Sequence, residues 1–262
     1  MMTATFDRVL PTHGIHNFRD FGGYAAAGGG RVVTGKLFRS AQHMGATDED
    51  LAHVAALDLA VVVDLRGARE RQAAPCPRPA TFGARLIATD QETASVAPHL
   101  EAAKGSTDPD AMHQRMLMVY DDIAFRPSLN ALLAHYFAAL AEDETPTLIH
   151  CLAGKDRTGI AVAFTHKLLG VHDDDVIADY LLTNSVGNVE ARIAAGAVSV
   201  RKSTGRDVSD AAMRVLMSVH PDYLQRTFRA LDARHGGFDP YMREVLGVDA
   251  VRREAIRARL LV

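Results

Sequence analysis

The fold of this chain is decided by one stretch, His150-Cys151-Leu152-Ala153-Gly154-Lys155-Asp156-Arg157-Thr158-Gly159. A short apolar strand candidate, 147–149, precedes it, and a helical pattern that begins at Ile160 follows it. In a loop between a strand and a helix, several backbone N–H groups can point at one oxyanion, and the helix adds the positive end of its dipole. The stretch therefore predicts an anion-binding loop at the end of a buried strand.

Cys151 and Arg157 are separated by five residues, so both can face the same anion. The pKa of a free thiol is about 8.5, but it falls to roughly 3.5–7.5 at helix N-termini and beside cations, where the reactive thiolate forms. Arg157 offers a planar fork that can bind two phosphate oxygens at once, which a lysine cannot copy. Gly154 has no Cβ, so the loop can turn through a left-handed conformation close to the anion. These residue types predict attack of Cys151 on phosphorus and a thiophosphate intermediate.

The rest of the stretch is predicted to support this chemistry. The loop residues expected to bind the phosphate are Leu152, Ala153, Gly154, Lys155, Asp156 and Arg157. Thr158 can donate a hydroxyl hydrogen bond to the thiolate and stabilise it as a leaving group in the second step. His150 is predicted to hydrogen-bond loop carbonyls and to hold the shape of the loop. A buried, inert cysteine is a common alternative, but it explains none of the Gly, Arg and Thr at fixed offsets.

The stretch resembles the active-site loop of the cysteine-dependent protein tyrosine and dual-specificity phosphatases, and its Gly-Lys-Asp-Arg-Thr-Gly form resembles that of a bacterial subgroup. Further stretches similar to that subgroup are Asn17-Phe18-Arg19-Asp20-Phe21-Gly22-Gly23, Leu37-Phe38-Arg39-Ser40, Val63-Asp64-Leu65-Arg66 with Glu70, Asp179-Tyr180-Leu181 with Asn184, and Tyr223-Leu224. The resemblance covers nearly the whole chain. It implies one phosphatase domain over 1–262 and hydrolysis of phosphotyrosine, with phosphoserine, phosphothreonine and phosphoinositides as further substrates. It also implies a phosphocysteine intermediate and no cofactor or metal.

The general acid is left open between aspartates, because a leaving alkoxide or phenolate needs a proton from a nearby carboxylic acid. Asp156 occupies the place where lipid-directed myotubularin-like phosphatases, which this loop resembles, carry an aspartate proposed for that role. Asp90 follows the third strand candidate and resembles an aspartate of the bacterial subgroup. Asp64 is better explained as a partner for Arg66 or as a group that holds the loop by a hydrogen bond. Of the two remaining candidates for the general acid, Asp156 is placed ahead of Asp90. Lys155 either reads extra phosphate groups on an inositol ring or neutralises the first phosphate.

The bulk properties agree with an enzyme domain. With 262 residues and 48% hydrophobic residues, the chain can bury a large core. Two cysteines, Cys76 and Cys151, make no disulfide framework and favour a reducing compartment. The N-terminal residues lack a basic region followed by an apolar stretch, so a cytoplasmic protein without membrane insertion is expected, with signal-less secretion as an alternative. A net charge of −3 argues against nucleic-acid binding. An anionic substrate, either a phosphorylated protein or a phosphoinositide, would be attracted by Arg157, Lys155, Arg19 or Arg39.

The pattern of elements predicts an α/β fold with a parallel-rich central sheet flanked by helices, similar to protein tyrosine phosphatases, and with a helical C-terminal part over 171–262. Strands are predicted at 36–39, 59–65, 85–88 and 147–150, and helices at 129–140, 160–169, 175–183, 210–218, 221–234 and 250–261. A capping-box pattern at Thr47-Asp48-Glu49-Asp50 marks a further helix start. The stretch 91–112 is the least regular and is interpreted as an insertion or lid.

Two other function classes are weighed. A rhodanese-like sulfurtransferase also uses a cysteine in an anion-binding loop, but its loops typically have four residues before the closing basic residue, and here there are five. A non-catalytic phosphate-binding module usually lacks the cysteine or the arginine, and both are present. The C-terminal arginines Arg252, Arg253, Arg257 and Arg259 are interrupted by Glu254, which indicates a solvated helix face rather than a membrane-directed patch.

Overall fold

The computed structural model describes residues 8–94, 98–103, 108–142, 144–186, 188–205 and 207–262. Its centre is a sheet whose strands follow the order β1-β2-β5-β3-β4. The strands are β1 Arg19–Asp20, β2 Leu37–Ser40, β3 Val61–Asp64, β4 Arg85–Ile87 and β5 Thr147–His150. The first pair, β1 and β2, is antiparallel, and all other neighbours are parallel. The predicted α/β fold with a parallel-rich sheet is confirmed.

The central strands are buried on both faces, which explains their unbroken apolar sequence. All four residues of β3 and all four of β5 are buried. Val62 and Leu148 pack into a small cluster with Val54 of the first helix, whereas Val63 and Ile149 point into the main core. Side chains of a strand alternate between faces, so one strand supplies both clusters.

The described residues form helices on both sides of this sheet. The helices are α1 Asp48–Ala56, α2 Ala68–Ala73, α3 Pro98–Ala102, α4 Pro109–Asp122, α5 Pro127–Ala141, α6 Asp156–Leu169, α7 Asp173–Leu181, α8 Val189–Thr204, α9 Asp210–Met217, α10 Pro221–His235, α11 Phe238–Glu244 and α12 Ala250–Leu260. Short 3₁₀ turns lie at Ile123–Phe125 and Leu182–Asn184. No helix among the described residues combines the length and the apolar character that a membrane span requires.

Several helix ends follow from local sequence. Thr47 caps α1, and the predicted capping box with Asp50 is present. Gly236 ends α10 in the left-handed conformation, with φ of 75°. Proline occupies the first turn of α10, where its missing N–H has no helical partner. These signals are local, so the sequence predicts them without knowledge of the tertiary structure.

The helices after the loop pack on one another and on the earlier helices α4 and α5. Helix α12 packs against α5 and α6, α6 packs against α7, and α4 packs against α9 and α10. Helices α6 and α7 approach closely at Gly159, where a Cβ would lie 2.7 Å from the ring of Tyr180. The charged residues at the end of the chain are half-buried or exposed on α12, as expected for a solvated helix face.

The stretch 91–112 is more regular than its sequence suggests, and its interpretation as an insertion or lid stays a prediction. Residues 95–97 and 104–107 of this stretch lie outside the described residues, but α3 and the start of α4 fall within it and are regular. The start of α4 carried a readable signal, because Asp108 caps the helix and Pro109 occupies its first turn. The short strand β1 and the helices α2, α8 and α11 are further elements that the sequence pattern did not predict.

Candidate active site

The anion-binding loop lies between β5 and α6, at the edge where parallel strands end. His150 is in register with Ser40 of β2 and with Asp64 of β3, so the carboxyl ends of three strands meet there. Ligands of open α/β sheets bind outside the carboxyl ends of strands. The loop therefore occupies the position in this fold at which a ligand is expected.

Gly154 fixes the path of the loop. Its φ is +64°, and a Cβ would lie 2.5 Å from the carbonyl oxygen of Ser40. The Gly154 carbonyl accepts hydrogen bonds from Asn17 Nδ2 at 2.7 Å and from Arg39 Nη2 at 2.9 Å. Both the left-handed backbone and the close approach of β2 require glycine here.

A buried cluster supports the loop through these contacts, and we call Arg19, Arg39 and Asp179 the rear triad. Asp179 Oδ2 lies 3.0 Å from Arg39 Nη1 and 3.5 Å from Arg19 Nη2. Arg19 also donates to the Asp179 carbonyl at 2.9 Å and to Asn17 Oδ1. Burial opposes the charge of Asp179, but the two arginines outweigh it and lower its pKa to about 2. The sequence suggests that Arg19 and Arg39 attract the substrate. In the structure both are bonded to Asp179, and Arg39 also to the Gly154 carbonyl.

Arg157 is held by Glu70 of α2, and we call these two residues the front pair. Glu70 Oε2 accepts from Nη1 at 2.5 Å, and Oε1 accepts from Nη2 at 2.7 Å. Nη1 also reaches Thr93 Oγ1 at 2.9 Å and the Leu65 carbonyl at 3.1 Å. Nε has no partner among the described residues. The edge formed by Nε and the remaining Nη2 hydrogen therefore has two N–H donors without a protein acceptor among the described residues, which is the donor pair that can bind two oxygens of one anion.

Both members of the front pair are charged at neutral pH. Burial alone would lower the pKa of Arg157, but the Glu70 carboxylate reverses this and raises it. Burial would likewise raise the pKa of Glu70, but the Arg157 cation outweighs the effect of burial and lowers this pKa below its ordinary value. Cys151 lies in the same buried region, with 3% of its surface exposed, and its negative form would also stabilise the Arg157 cation.

His150 is a buried residue at the end of β5, directly before Cys151. Neither ring nitrogen has a hydrogen-bond partner in the part of the chain that the structure describes. The ring stacks on His43 at 5.4 Å, and its Nε2 lies 3.7 Å from Asp64 Oδ2. Burial lowers the pKa of His150 to about 4, so the ring is neutral at physiological pH. The ring is held by packing, and the Cys151 backbone also acts on it, so the predicted hydrogen bond from His150 to the loop backbone stays a prediction.

Asp64 is occupied by a neighbouring arginine. Its Oδ1 accepts from Arg66 Nε at 2.8 Å, and its Oδ2 accepts from Arg66 Nη2 at 2.7 Å. Arg66 Nη2 also donates to Cys76 Sγ at 3.1 Å. Burial opposes the charged form of Asp64, but His150 and Arg66 together lower its pKa well below the ordinary value. This geometry matches the interpretation of Asp64 as a partner of Arg66.

Asp156 lies in the first turn of α6, directly before Arg157. Its Oδ1 accepts from Lys155 Nζ at 2.7 Å and from the Tyr120 hydroxyl at 2.7 Å. The Tyr120 hydroxyl is also 2.6 Å from that of Tyr180. Lys155 and Asp156 are both buried, so the lysine charge is neutralised inside the protein rather than at its surface.

Asp90 and Thr158 stand in contrasting environments. The Asp90 side chain is fully exposed and pairs with Arg71 Nη2 at 2.9 Å. The Thr158 hydroxyl is buried and has no hydrogen-bond partner among the described residues. The structure thus brings Asp64 and Asp156 to the loop and places Asp90 in solvent after β4. Thr158, seven residues after Cys151, therefore keeps a hydroxyl without a partner in this part of the structure.

Two groups of potential metal ligands occur among the described residues. The first contains Asp64, Cys76 and His150, and the second contains His113, His220 and Asp222. In the first group, the bidentate contact from Arg66 already occupies both oxygens of the Asp64 carboxylate. A metal ion there would have to displace a guanidinium, so the donor set fits a metal poorly.

Several residues of the site have roles that the sequence did not predict. Glu70 was visible only as part of a matching stretch, although it orients Arg157. Tyr120 reaches Asp156 from α4, a helix that was not predicted. His99 of α3 is buried beside the loop, and burial together with the Lys155 charge lowers its pKa to about 4. No local pattern marks these residues, because each acts through a partner far away in the chain.

A cysteine-centred anion loop at the carboxyl edge of a mostly parallel sheet is the arrangement of tyrosine-phosphatase-like α/β proteins. The model of the tyrosine phosphatase family matches residues 10–262. The chain therefore belongs to the tyrosine phosphatase family.

Two relatives agree with this placement. A candidate tyrosine-protein phosphatase of Cupriavidus necator is 35% identical over 247 residues, which cover 91% of this chain and 84% of the relative. The triple specificity protein phosphatase PtpB of Mycobacterium tuberculosis is 30% identical over 284 residues, which cover 97% of this chain and 99% of PtpB. The family and both relatives support phosphatase activity on phosphorylated substrates.

Proposed function

We propose that this protein hydrolyses phosphotyrosine in proteins through a phosphocysteine formed on Cys151. The observation that carries the proposal is the geometry of the front pair. Glu70 bonds both terminal nitrogens of the Arg157 guanidinium, Nε is left without a partner among the described residues, and the charge of Cys151 acts on this group. A preorganised fork of this kind binds two equatorial phosphate oxygens and stabilises the charge that they gain in the transition state.

The proposed reaction has two displacement steps. In the first, the Cys151 thiolate attacks phosphorus, an S–P bond forms, and the P–O bond to the ester oxygen breaks. The leaving oxygen takes a proton from a carboxylic acid. In the second, water attacks the phosphocysteine and gives a proton to the same carboxylate, while the S–P bond breaks and inorganic phosphate leaves. We assign the donor for the departing thiolate to the Thr158 hydroxyl, and the support is that this hydroxyl has no partner among the described residues.

We assign the general acid to Asp156 ahead of Asp90. Asp156 is buried in the first turn of the helix that carries Arg157, whereas Asp90 is solvent-exposed and bonded to Arg71. A proton donor must lie within hydrogen-bond reach of the leaving oxygen, so a residue of the loop itself is favoured. Lys155 and Tyr120 hold the Asp156 carboxylate in position.

The substrate range is proposed to extend beyond phosphotyrosine to phosphoserine, phosphothreonine and phosphoinositides. The support is the relative named a triple specificity phosphatase, which matches over nearly its full length. Lys155 supports this range only if its ammonium group turns from Asp156 to the substrate, because the two are ion-paired in the structure. A panel of phosphopeptides, phosphoinositides and soluble inositol phosphates at several pH values tests the range.

The covalent step is tested by rapid acid quench with a ³²P-labelled phosphotyrosine peptide. Wild-type protein should carry acid-stable label on the protein, and Cys151→Ser should carry none and turn over no substrate while still binding vanadate. Cys76→Ser is the matched control and should keep the label, because that thiol lies under the loop and bonds Arg66. Full activity of Cys151→Ser, or complete loss of wild-type activity with a chelator, would contradict the proposal.

The two other function classes are distinguished in the same experiment. A sulfurtransferase would move sulfur from thiosulfate to cyanide and would acquire no phosphate label. A binding module would retain phosphate in the Cys151→Ser form and show no turnover as wild type. The labelled wild-type intermediate is expected only for the phosphatase.

A further inference from the structure

Arg192 of α8 is a buried cation without a partner. Only 3% of its surface is exposed, and none of its three guanidinium nitrogens has a hydrogen-bond partner among the described residues. Burial lowers its pKa to about 10, so the group stays charged at neutral pH. An unpaired buried charge is costly, and buried charges in proteins are paired as a rule. No acidic group among the described residues is therefore bonded to Arg192.

The surroundings of Arg192 place it at the loop. The negative charge of Asp156 and the positive charge of Arg39 both act on it. Arg192 also acts on His16, whose pKa is lowered by burial and then by this cation. Asp156 forms no hydrogen bond with Arg192, and its Oδ1 accepts from Lys155 and Tyr120 instead. Helix α8 packs against α3, whose buried His99 is affected by the charges of Lys155 and Asp156, so the unpaired guanidinium lies within electrostatic range of the loop.

We propose that Arg192 forms a second anion subsite beside the loop, which binds a phosphate group in addition to the one held by Cys151 and Arg157. The position of the first phosphate rests on the proposed function. A guanidinium has five N–H donors, and the half-buried ring of His16 lies close to it. A tetrahedral oxyanion with several acceptor oxygens matches this donor set better than a carboxylate with two. The anion is either a second phosphate on the substrate or free inorganic phosphate.

The subsite is tested first by stoichiometry. Cys151→Ser protein, titrated with inorganic phosphate in a calorimeter, should bind two phosphates per chain, and Cys151→Ser/Arg192→Gln should bind one. Cys151→Ser/Arg201→Gln is the matched control, because Arg201 is an exposed arginine on the same helix. It should bind two. One phosphate in every variant would overturn the subsite, as would an unchanged stoichiometry on replacement of Arg192.

A thermal measurement separates a ligand site from a structural ion pair. Without phosphate, Arg192→Gln should melt no lower than wild type, because the change removes an unpaired buried charge. With phosphate, its midpoint should rise less than that of wild type, because one bound anion is lost. A lower midpoint without phosphate together with an unchanged phosphate response would show that Arg192 only stabilises the fold.

Paired substrates identify the source of the anion. Phenyl phosphate carries one phosphate, and 1,3-phenylene bisphosphate adds a second on the same ring. If the second phosphate belongs to the substrate, kcat/KM should favour the bisphosphate by about tenfold, the scale of one charge-assisted hydrogen bond, and Arg192→Gln should abolish that preference. If the preference is absent but the stoichiometry is two, the subsite takes free phosphate. Failure of wild type to hydrolyse phenyl phosphate would contradict the proposed function, and the calorimetry would still decide the subsite.

Discussion

The front pair and the rear triad are both clusters of buried arginine and carboxylate, but their hydrogen bonds differ. In the front pair, Glu70 takes one edge of Arg157 and leaves Nε unpartnered among the described residues. In the rear triad, Asp179 is shared between two arginines, whose other donors reach the Gly154 carbonyl and the chain near β1. Burial alone therefore does not distinguish a ligand-binding arginine from a structural one. An unpartnered Nε does not distinguish them either, because Arg19 and Arg39 share it with Arg157. The difference lies in the neighbouring acidic group, which is Cys151 for Arg157 and Asp179 for the other two arginines.

The largest expected effect is on the rear triad, through Asp179→Asn. This change leaves two buried arginines without their carboxylate, and breaking a buried ion pair costs about 3–5 kcal/mol. The free energy of unfolding, measured by urea denaturation, should fall by that amount. Asp207→Asn, which removes an exposed ion pair with Arg201, is the control and should change it by less than about 1 kcal/mol. A small loss for Asp179→Asn would mean that the triad is not a structural cluster.

The same variant should also alter the acid stability. The pKa of Asp179 is lowered to about 2, while that of an unfolded aspartate is about 3.9. A lowered carboxyl pKa contributes stability that is present above the unfolded pKa and is lost as pH falls through the folded one. The difference in unfolding free energy between wild type and Asp179→Asn should therefore shrink between pH 4 and about 2. A constant difference across this range would contradict the charge-based explanation.

The second expected effect concerns the proton donor beside the front pair. Asp156→Asn should slow hydrolysis of phosphotyrosine by about 100-fold, because a phenolate leaves poorly without a proton. Hydrolysis of an activated aryl phosphate should change much less, and the alkaline limb of the pH profile should flatten. Asp90→Asn is the matched comparison and should behave like wild type. If only Asp90→Asn shows the leaving-group effect, the order of the two aspartates is reversed.

The third effect is the loss of the fork in Arg157→Lys. One ammonium keeps the charge and an ion pair with Glu70, but it cannot bind two equatorial oxygens together. We expect kcat/KM to fall by a factor that corresponds to about 2 kcal/mol or more of lost transition-state stabilisation, the scale of one removed preorganised donor. The control is Arg243→Lys, an exposed arginine of α11 paired with Glu244. A change below threefold would show that Arg157 does not contact the phosphate.

The smallest effect is expected for Glu70→Gln. The amide keeps one acceptor for Arg157 but loses the charge that fixes the guanidinium, so the open edge should be less well oriented. We expect kcat to fall by about tenfold with a smaller change in KM, because a positioning residue acts on the transition state more than on binding. Steady-state kinetics on a phosphotyrosine peptide measures this. An unchanged kcat with a raised KM would make Glu70 a binding group only.

The sequence predicts the features that depend only on residues close together in the chain. The loop, the strands at β3 and β5 and the capping box at Thr47 all follow from residues within a few positions of one another. The helix spans 210–218 and 221–234 end within one residue of the observed α9 and α10. Strand β2 is shifted by one residue and β3 is shorter than its apolar run, because pairing with β5 decides where the ladder ends.

The sequence does not predict roles that depend on distant partners. Arg19 and Arg39 have the charge of a substrate-attracting group, but their carboxylate lies 160 and 140 residues away in the chain. The roles of Glu70 and Tyr120 are equally hard to predict, because their contacts with the loop form only in the folded protein. For His150, the stacking of its ring on that of His43 is likewise a contact that no local pattern predicts.

Helices α6 and α7 lie close together at Gly159, the last residue of the stretch 150–159. The first glycine, Gly154, allows the backbone to turn beneath an anion, whereas the final glycine, Gly159, faces the ring of Tyr180 rather than the loop. A methyl group there would meet that ring at 2.7 Å and push apart two helices linked by the Tyr120–Tyr180 hydroxyl contact to Asp156. The ten-residue stretch thus contains both the residues of the proposed anion-binding loop and Gly159, whose missing side chain sets the distance between α6 and α7.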